Sequence, residues 1–190
     1  MSYILIVYYS KHGTTKSLAK YISYGVESNS MEALIRTVPN SFEKSKNDGE
    51  HKFASTEELS NCSGVILGSP SYFGNMAAPL KNYIDKTSNI WVNGHLLNKP
   101  AAVFCSSSSM HGGQETTLIS MMIPLMHHGA VIVGLPFYKT NLINTKSGGS
   151  PYGPSHVNMN RKGNKISDIE KELCITLGKR VSSVSLKLSK

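Results

Sequence analysis

The sequence predicts a doubly wound α/β domain built on a five-stranded parallel sheet. Five short apolar runs alternate along the chain with segments whose apolar residues recur every three or four positions. Near-continuous apolar runs are typical of strands buried on both faces, as the strands of a parallel sheet are. Their alternation with helices places helices on both faces of one sheet. At 190 residues the chain has the usual length of one domain, and we expect a single domain over residues 1–190.

Each element is predicted from its own pattern. The strands are the apolar runs over residues 3–9, 31–38, 64–68, 101–104 and 130–135. The helices are the periodic segments over about 18–26, 76–84, 114–128 and 166–188. Pro79 falls in the first turn of the second helix, where a missing N–H costs little. Pro124 should kink the third helix or end it early. Ser167 and Glu170 form a capping box at the start of the last helix.

Two stretches are predicted to be surface loops, because Asn, Ser, Gly, Lys and Pro dominate them: residues 40–56 and 138–165. Ligands of doubly wound sheets bind outside the carboxyl ends of the strands, where the strand order reverses. The loops after the first, third and fourth strands are therefore the expected site.

The first of these loops is a hydroxyl-rich turn between a buried strand and a helix start. It consists of Ser10, Lys11, His12, Gly13, Thr14 and Thr15. Free N–H groups and the dipole at a helix N-terminus attract a phosphate, and the hydroxyls add donors. The turn is neither a nucleotide P-loop nor a dinucleotide GxGxxG turn, and it suits a terminal phosphate such as that of FMN. From this turn alone, an ordinary capped helix start is an equally good interpretation.

The second and third loops are suited to a flat ring. The second consists of Pro70, Ser71, Tyr72, Phe73, Gly74 and Asn75, in which two aromatics precede a glycine. The third consists of Ser106, Ser107, Ser108, Ser109, Met110, His111, Gly112 and Gly113. Aromatic faces and closely approaching backbone favour ring binding. The alternatives are packing of Phe73 on the core and a flexible serine linker.

Composition limits the other classes of function. The formal charge is +8, but the lysines are scattered and no basic stripe carries interleaved aromatics, so we expect no nucleic-acid partner. No apolar run is long enough to span a bilayer, and the N-terminus lacks the features of a signal peptide. Three widely spaced cysteines fit neither a disulfide framework nor a zinc site, and adjacent His127 and His128 cannot easily share a metal. We therefore expect a cytoplasmic protein without an integral membrane segment or a metal.

These residues also carry a resemblance. The segments YYSKHGTT, GSPSYFGNMAAPLKNYID, VFCSSSSMHGGQETT, LMHHGAVIVG and GGSPYG resemble the WrbA family of flavodoxin-like NAD(P)H:quinone oxidoreductases. The likeness extends from the first strand to the final helix and includes the spacings. It implies a flavodoxin-like fold with strand order 2-1-3-4-5, non-covalently bound FMN, and a homotetramer. It also implies two-electron, ping-pong hydride transfer from NADH or NADPH through FMN to a quinone.

The resemblance assigns roles to individual residues. The first loop matches the family's phosphate turn, and the second and third match its ring loops. His127 matches a histidine that reaches the flavin site from a neighbouring subunit, where it could deliver a proton to the quinone. Trp91 matches an aromatic wall of the quinone pocket. Without the family, a surface or core role is the ordinary interpretation of either residue.

Three departures from the family pattern concern the ring site. His12 lies where many members have a tyrosine near the nicotinamide, and Tyr72 lies where many have an arginine. The arginine would place a positive charge beside the flavin, so its loss bears on redox tuning. The third loop is one residue longer and contains Ser-Met-His, which bears on the width of the ring pocket.

Two other functions fit the same fold. One is an electron-transfer flavodoxin that shuttles electrons between protein partners. Such carriers usually present acidic faces, and the basic charge of this chain favours the enzyme. The other is a regulatory protein bound to nucleic acid, which would show salt-sensitive DNA binding and no flavin colour.

Overall fold

The computed structural model describes residues 2–40, 49–139, 141–158 and 165–189. Within these ranges it contains seven strands: β1 (Tyr3–Tyr8), β2 (Glu32–Thr37), β3 (Gly64–Tyr72), β4 (Asn75–Met76), β5 (Pro100–Ser107), β6 (Val131–Ile132) and β7 (Ser155–Val157). It contains six α-helices: α1 (Thr14–Glu27), α2 (Thr56–Asn61), α3 (Ala78–Asp85), α4 (Ser88–Val92), α5 (Gln114–His127) and α6 (Asp168–Leu188). Two 3₁₀ turns, Phe137–Lys139 and Asn141–Asn144, follow β6.

The sheet has the predicted topology. Its main path runs β2-β1-β3-β5-β6, and all four pairings along it are parallel. Numbered by the five predicted strands, this is the order 2-1-3-4-5. The short strand β4 pairs antiparallel with the end of β3 and forms a hairpin there. The doubly wound α/β prediction is confirmed, and the carboxyl ends of β1, β3 and β5 meet at one edge of the sheet.

The strands alternate their side chains between two apolar layers. Odd-numbered residues of β1 pack with α3 and α5 on one face, and even-numbered residues pack with α1 and α6 on the other. Two glycines bring α1 and α6 into close contact. A Cβ added at Gly25 would lie 2.1 Å from the carbonyl oxygen of Ile175, and one at Gly178 would lie 2.1 Å from that of Ile22. The backbones of the two helices are therefore in direct contact, and this contact fixes the position of α6 over the sheet.

The edge of the sheet beside β5 differs from the prediction. We expected one strand over 130–135, but β6 pairs only with Pro100 and Ala101. The chain then leaves the sheet and returns as β7, which pairs with Cys105, Ser106 and Ser107. Gly153 fills the gap between the two, since a Cβ there would lie 2.2 Å from the carbonyl oxygen of Val103. Two short strands thus share the position of one, and the residues between them form an insert.

The helices are largely as predicted, with one exception at Pro124. The final helix begins with the predicted capping box, in which Ser167 and Glu170 bond each other's backbone N–H. Pro79 lies in the first turn of α3. The expectation that Pro124 ends its helix early is wrong, because α5 continues to His127 and His128 N–H bonds the Pro124 carbonyl at 3.0 Å. The short helices α2 and α4 were not predicted.

The two predicted loops are described only in part. Residues 41–48 of the first, and residues 140 and 159–164 of the second, lie outside the described residues. Across the ranges that are described, no helix is long and apolar enough to cross a membrane.

Candidate functional site

A cavity of about 630 Å³ opens at the carboxyl ends of β1, β3 and β5. This volume lies within the range typical of small-molecule sites. The residues around it come from all three loops that the sequence singled out, and from one further segment. They are Ser10, Lys11, His12, Thr14, Thr15, Pro70, Ser71, Tyr72, Ser106, Ser107, Ser108 and Asn158.

The first loop presents an uncapped helix N-terminus to this cavity. The residue at the cap position of α1 is Gly13, with φ of +85°, and no side chain caps the helix. Ordinary helix starts satisfy their first N–H groups with a Ser, Thr, Asp or Asn side chain at this position. Here the hydroxyl of Thr15 instead bonds that of Ser106, at 2.9 Å, and ties the turn to β5. The geometry thus favours an anion site over a plain helix cap.

The second loop forms a tight hairpin turn at the cavity wall. Tyr72 and Asn75 pair across it, and the two turn residues, Phe73 and Gly74, have φ of +54° and +75°. Positive φ at both central positions is the geometry of a two-residue hairpin turn, but it is uncommon for phenylalanine. The Phe73 side chain is fully exposed, so the alternative of packing on the core is wrong. Tyr72 is half-exposed and faces the cavity.

The third loop is locked against the second. The Ser71 hydroxyl donates to the Gly112 carbonyl oxygen at 2.8 Å and accepts from the Thr117 hydroxyl at 2.9 Å. A Cβ added at Gly113 would lie 2.6 Å from the Cα of Gly74, so these two glycines touch. Gly113 also has φ of +78° and precedes α5 directly. The serine-rich segment is therefore part of a fixed wall, not a flexible linker.

Lysines lie in and beside the first loop. Lys11 lines the cavity, and Lys16 forms an exposed ion pair with Glu50 at 3.0 Å. Burial raises the pKa of Tyr8 to about 12, although a hydrogen bond with Thr37 opposes this. The phenol, which bonds His51 Nδ1 at 2.9 Å, is therefore neutral at neutral pH. It brings no negative charge to the turn that follows β1.

Cys105 lies beside the third loop but takes no part in its chemistry. The thiol is fully buried, and burial raises its pKa well above the usual range. Its Sγ donates to the carbonyl oxygen of Gln114 at 3.5 Å. A thiol in this state is a poor nucleophile. Among the described residues there is also no group of three or more His, Cys, Asp or Glu that could hold a metal ion.

Some predicted residues lie outside the cavity lining. Those in the three loops are Gly13, Phe73, Gly74, Asn75, Ser109, Met110, His111, Gly112 and Gly113. His127 is exposed at the far end of α5, about 20 Å along the helix from its N-terminus. Trp91 is half-exposed on α4. Within one chain, neither His127 nor Trp91 belongs to the cavity.

Asn158 lines the cavity but is not among the residues predicted from the sequence. This residue follows β7, and β7 is a three-residue strand in a stretch rich in Asn, Gly, Ser and Pro. The sequence signal that could have indicated it is an apolar residue, Val157, directly followed by a polar one. Pairing of β7 with β5 brings Asn158 to the same edge of the sheet as the three loops.

Comparison with known proteins identifies relatives over the whole chain. The model of the NADPH-dependent FMN reductase family matches residues 3–142. An NAD(P)H dehydrogenase (quinone) from Rhizobium rhizogenes is 32% identical, over 99% of each chain. A protein of the same description from Solidesulfovibrio magneticus is 34% identical, over 97% of this chain and 98% of its own.

Solved structures agree on the fold. A WrbA-like flavodoxin from Agrobacterium tumefaciens superposes with a TM-score of 0.71 at 20% identity, covering 98% of this chain and 99% of its own. An archaeal flavodoxin superposes with a TM-score of 0.63, also at 20% identity and with the same coverage. The fold is therefore flavodoxin-like.

Proposed function

This chain belongs to the NADPH-dependent FMN reductase family, and from that premise we propose that it is an FMN-dependent NAD(P)H:quinone oxidoreductase. The observation that carries the proposal is one cavity in which an uncapped helix N-terminus meets two interlocked ring loops. Full-length relatives described as NAD(P)H dehydrogenase (quinone) support the same activity.

The residues present fit FMN. The turn from Ser10 to Thr15 offers hydroxyls and the N-terminal N–H groups of α1, which suit the terminal phosphate. Tyr72 and the backbone of residues 106–108 border the rest of the cavity, which is large enough for a ring system. Glycines at positions 74 and 113 allow the walls to approach closely. In this proposal the predicted cofactor-binding residues of all three loops hold FMN, as wall or as support for the wall.

Bound FMN supplies the redox chemistry, accepting hydride from NADH or NADPH and passing two electrons to a quinone. The task of the chain is to bind, orient and shield. The hydrogen bonds of Ser71 to Gly112 and Thr117 keep the two ring loops at a fixed separation. Tyr72 and His12 both line the cavity. Because the family resemblance assigns their positions to the surroundings of the flavin and the nicotinamide, we propose that they select between acceptors.

The test begins with a titration of the apoprotein with FMN, followed by flavin fluorescence. The holoenzyme is then mixed with NADH or NADPH and either benzoquinone or cytochrome c, a one-electron protein acceptor. We expect FMN binding and rapid nicotinamide oxidation that depends on the quinone. Fast cytochrome c reduction without quinone turnover would instead identify an electron shuttle. Absence of flavin binding together with salt-sensitive DNA binding would identify a regulatory protein.

Homotetramer formation is the assembly we propose, with support from an exposed apolar face on α5. Ile119, Ile123 and Met126 recur at helical spacing along this face and are 40%, 48% and 55% exposed. Leu97 and Val131, beside the end of the helix, are exposed as well. Contact between copies through this face would cover it. It would also carry His127 and Trp91 toward the cavity of another copy.

Replacing Ile123 by aspartate is expected to dissociate the assembly, because it places a charge in the middle of that apolar face. Sedimentation velocity would show a smaller particle, and quinone turnover would fall at least tenfold while FMN stays bound. Leu186→Asp is the control, since Leu186 is 44% exposed on α6 and lies on the opposite face of the sheet. A wild-type monomer with full quinone turnover would contradict the proposal.

His127 is proposed to assist proton delivery to the quinone from a neighbouring copy. His127→Gln keeps a polar side chain of similar length but cannot exchange a proton near neutral pH. We expect about a hundredfold or greater loss of quinone turnover with unchanged FMN affinity and assembly. Unchanged turnover in stopped-flow reoxidation by benzoquinone would rule out this role.

We also propose that the protein works in the cytoplasm. The support is that Cys62, Cys105 and Cys174 are all free and buried, which suits a reducing compartment.

A further inference from the structure

A buried carboxylate ties together three segments next to the cavity. Glu170, at the start of α6, is only 1% exposed. Its Oε1 accepts hydrogen bonds from the Ser147 hydroxyl at 3.0 Å and the Gly148 N–H at 3.1 Å. Its Oε2 accepts from the Ser167 N–H at 2.8 Å and pairs with His156 Nδ1 at 3.0 Å. The insert turn, β7 and the start of α6 therefore converge on one side chain.

His156 connects this carboxylate to the cavity wall. It lies in β7, is 4% exposed, and is the register partner of Ser106. Its Nε2 is buried and has no hydrogen-bond partner among the described residues. Burying a carboxylate and an imidazole costs solvation energy that a well-packed apolar pair would not cost. The hydrogen bond between His156 and Glu170 fixes the position of β7 relative to α6. We call these two residues the clamp.

The clamp holds Asn158 in the wall of the cavity. Two residues after His156, the Asn158 N–H donates to the Ser107 carbonyl oxygen at 2.9 Å, so the strand pairing continues to this point. Side chains two apart on a strand share a face. That face is the one covered by α1 and α6, because His156 meets Glu170 there and Ser106 meets Thr15. Asn158 thus lies on the side of the cavity that holds the phosphate turn.

We propose that Asn158 is a further FMN-binding residue, which hydrogen-bonds the ribityl phosphate, and that the clamp sets its position. This inference rests on the proposed function. The NH₂ group of a side-chain amide donates hydrogen bonds, so it can serve a phosphate oxygen. Asn158 lines the cavity beside Ser107, whose carbonyl oxygen its N–H bonds. Asn158 is a binding residue, and His156 and Glu170 are positioning residues.

The experiment compares FMN with riboflavin, which has the same ring and no phosphate. Apoprotein of the wild type, Asn158→Ala and Asn158→Asp is titrated with each flavin by fluorescence quenching. A hydrogen bond to a charged group is worth about 1.5–3 kcal/mol, so Asn158→Ala should raise the Kd for FMN roughly tenfold to hundredfold. The Kd for riboflavin should change less than about twofold. Asn158→Asp, which is isosteric, should weaken FMN binding more than Asn158→Ala, because like charges repel. Asn89→Ala, on exposed α4, is the control and should change neither Kd.

The clamp is tested with His156→Gln and the double variant His156→Gln, Asn158→Ala. We expect His156→Gln to weaken FMN binding about fivefold or more and riboflavin binding little, with no further loss in the double variant beyond that of Asn158→Ala. Additive losses would overturn the clamp. If His156→Gln does not fold, Glu170→Asp replaces it in the same cycle.

The outcomes distinguish failure of this inference from failure of the proposed function. If the wild type binds FMN and reduces quinone while Asn158→Ala keeps the wild-type Kd, the inference is wrong and the proposed function stands. Equal losses for FMN and riboflavin would also overturn it, since they indicate general loosening of the wall. If the wild type does not bind FMN, the proposed function itself is wrong.

Discussion

Replacing Ser10 by aspartate is expected to lower the affinity for FMN by about a thousandfold. Ser10 lines the cavity and precedes Gly13, the residue at the cap position of α1, by three residues. An aspartate there would stand within a few ångströms of the bound phosphate. Two like unit charges 4 Å apart repel by about 4 kcal/mol at an effective dielectric constant of about 20, which is about a thousandfold in Kd. The readout is a fluorescence titration of the apoprotein with FMN.

The charge alone is isolated by the matched variant Ser10→Asn, which has the same size and no charge. We expect it to weaken FMN binding about tenfold at most, through the lost hydroxyl. Riboflavin should bind both variants about equally, since it carries no phosphate. Unfolding does not explain a loss in Ser10→Asp, because a negative charge near a helix N-terminus stabilises the helix by about 0.3–1 kcal/mol. Equal FMN affinities of the Asp and Asn variants would show that the phosphate binds elsewhere.

The central strands of the fold were predictable because each is buried on both faces. A strand buried on both faces consists almost entirely of apolar residues, as residues 3–9 and 64–68 do. The strands at the edge of the sheet have no such continuous apolar pattern. The strands β6 and β7 are only two and three residues long. Their pairing depends on contacts with β5, which is distant in sequence, and on the close approach of Gly153 to β5. Short strands that depend on long-range contacts carry no periodic signal.

The site was predictable to the same extent and for a related reason. Three loops at the ends of adjacent parallel strands must meet, so a strand prediction already brings residues 10–15, 70–75 and 106–113 together. The state of the helix cap was not predictable, because the sequence offers Ser10, Thr14 and Thr15 as caps and the structure uses Gly13 without a side-chain bond. Asn158 was missed together with β7. His127 and Trp91 came from the family resemblance alone, and their role depends on contacts between copies.

The second large effect concerns stability. Replacing Glu170 by glutamine is expected to lower the free energy of unfolding by about 3 kcal/mol, because breaking one partner of a buried pair leaves groups unsatisfied. Both carboxylate oxygens accept a backbone N–H, from Gly148 and from Ser167. In either orientation of the amide, its NH₂ group would face one of these donors. Urea unfolding at pH 7 measures the loss, and Glu172→Gln, on the exposed side of α6, should cost less than about 0.5 kcal/mol.

The pH dependence distinguishes loss of the charge from a simple packing defect. Burial alone would raise the pKa of Glu170, but hydrogen bonds with His156 and Ser167 and the charge of His156 outweigh it and lower the pKa from 4.5 to about 2. A lowered pKa in the folded state means that the carboxylate stabilises the protein fully above about pH 4.5 and loses that contribution as the pH falls toward 2. The stability difference between wild type and Glu170→Gln should therefore be constant from pH 7 to about 5 and shrink below it. A difference that stays constant down to pH 3 would mean that the variant disturbs packing and that the ionised carboxylate contributes nothing.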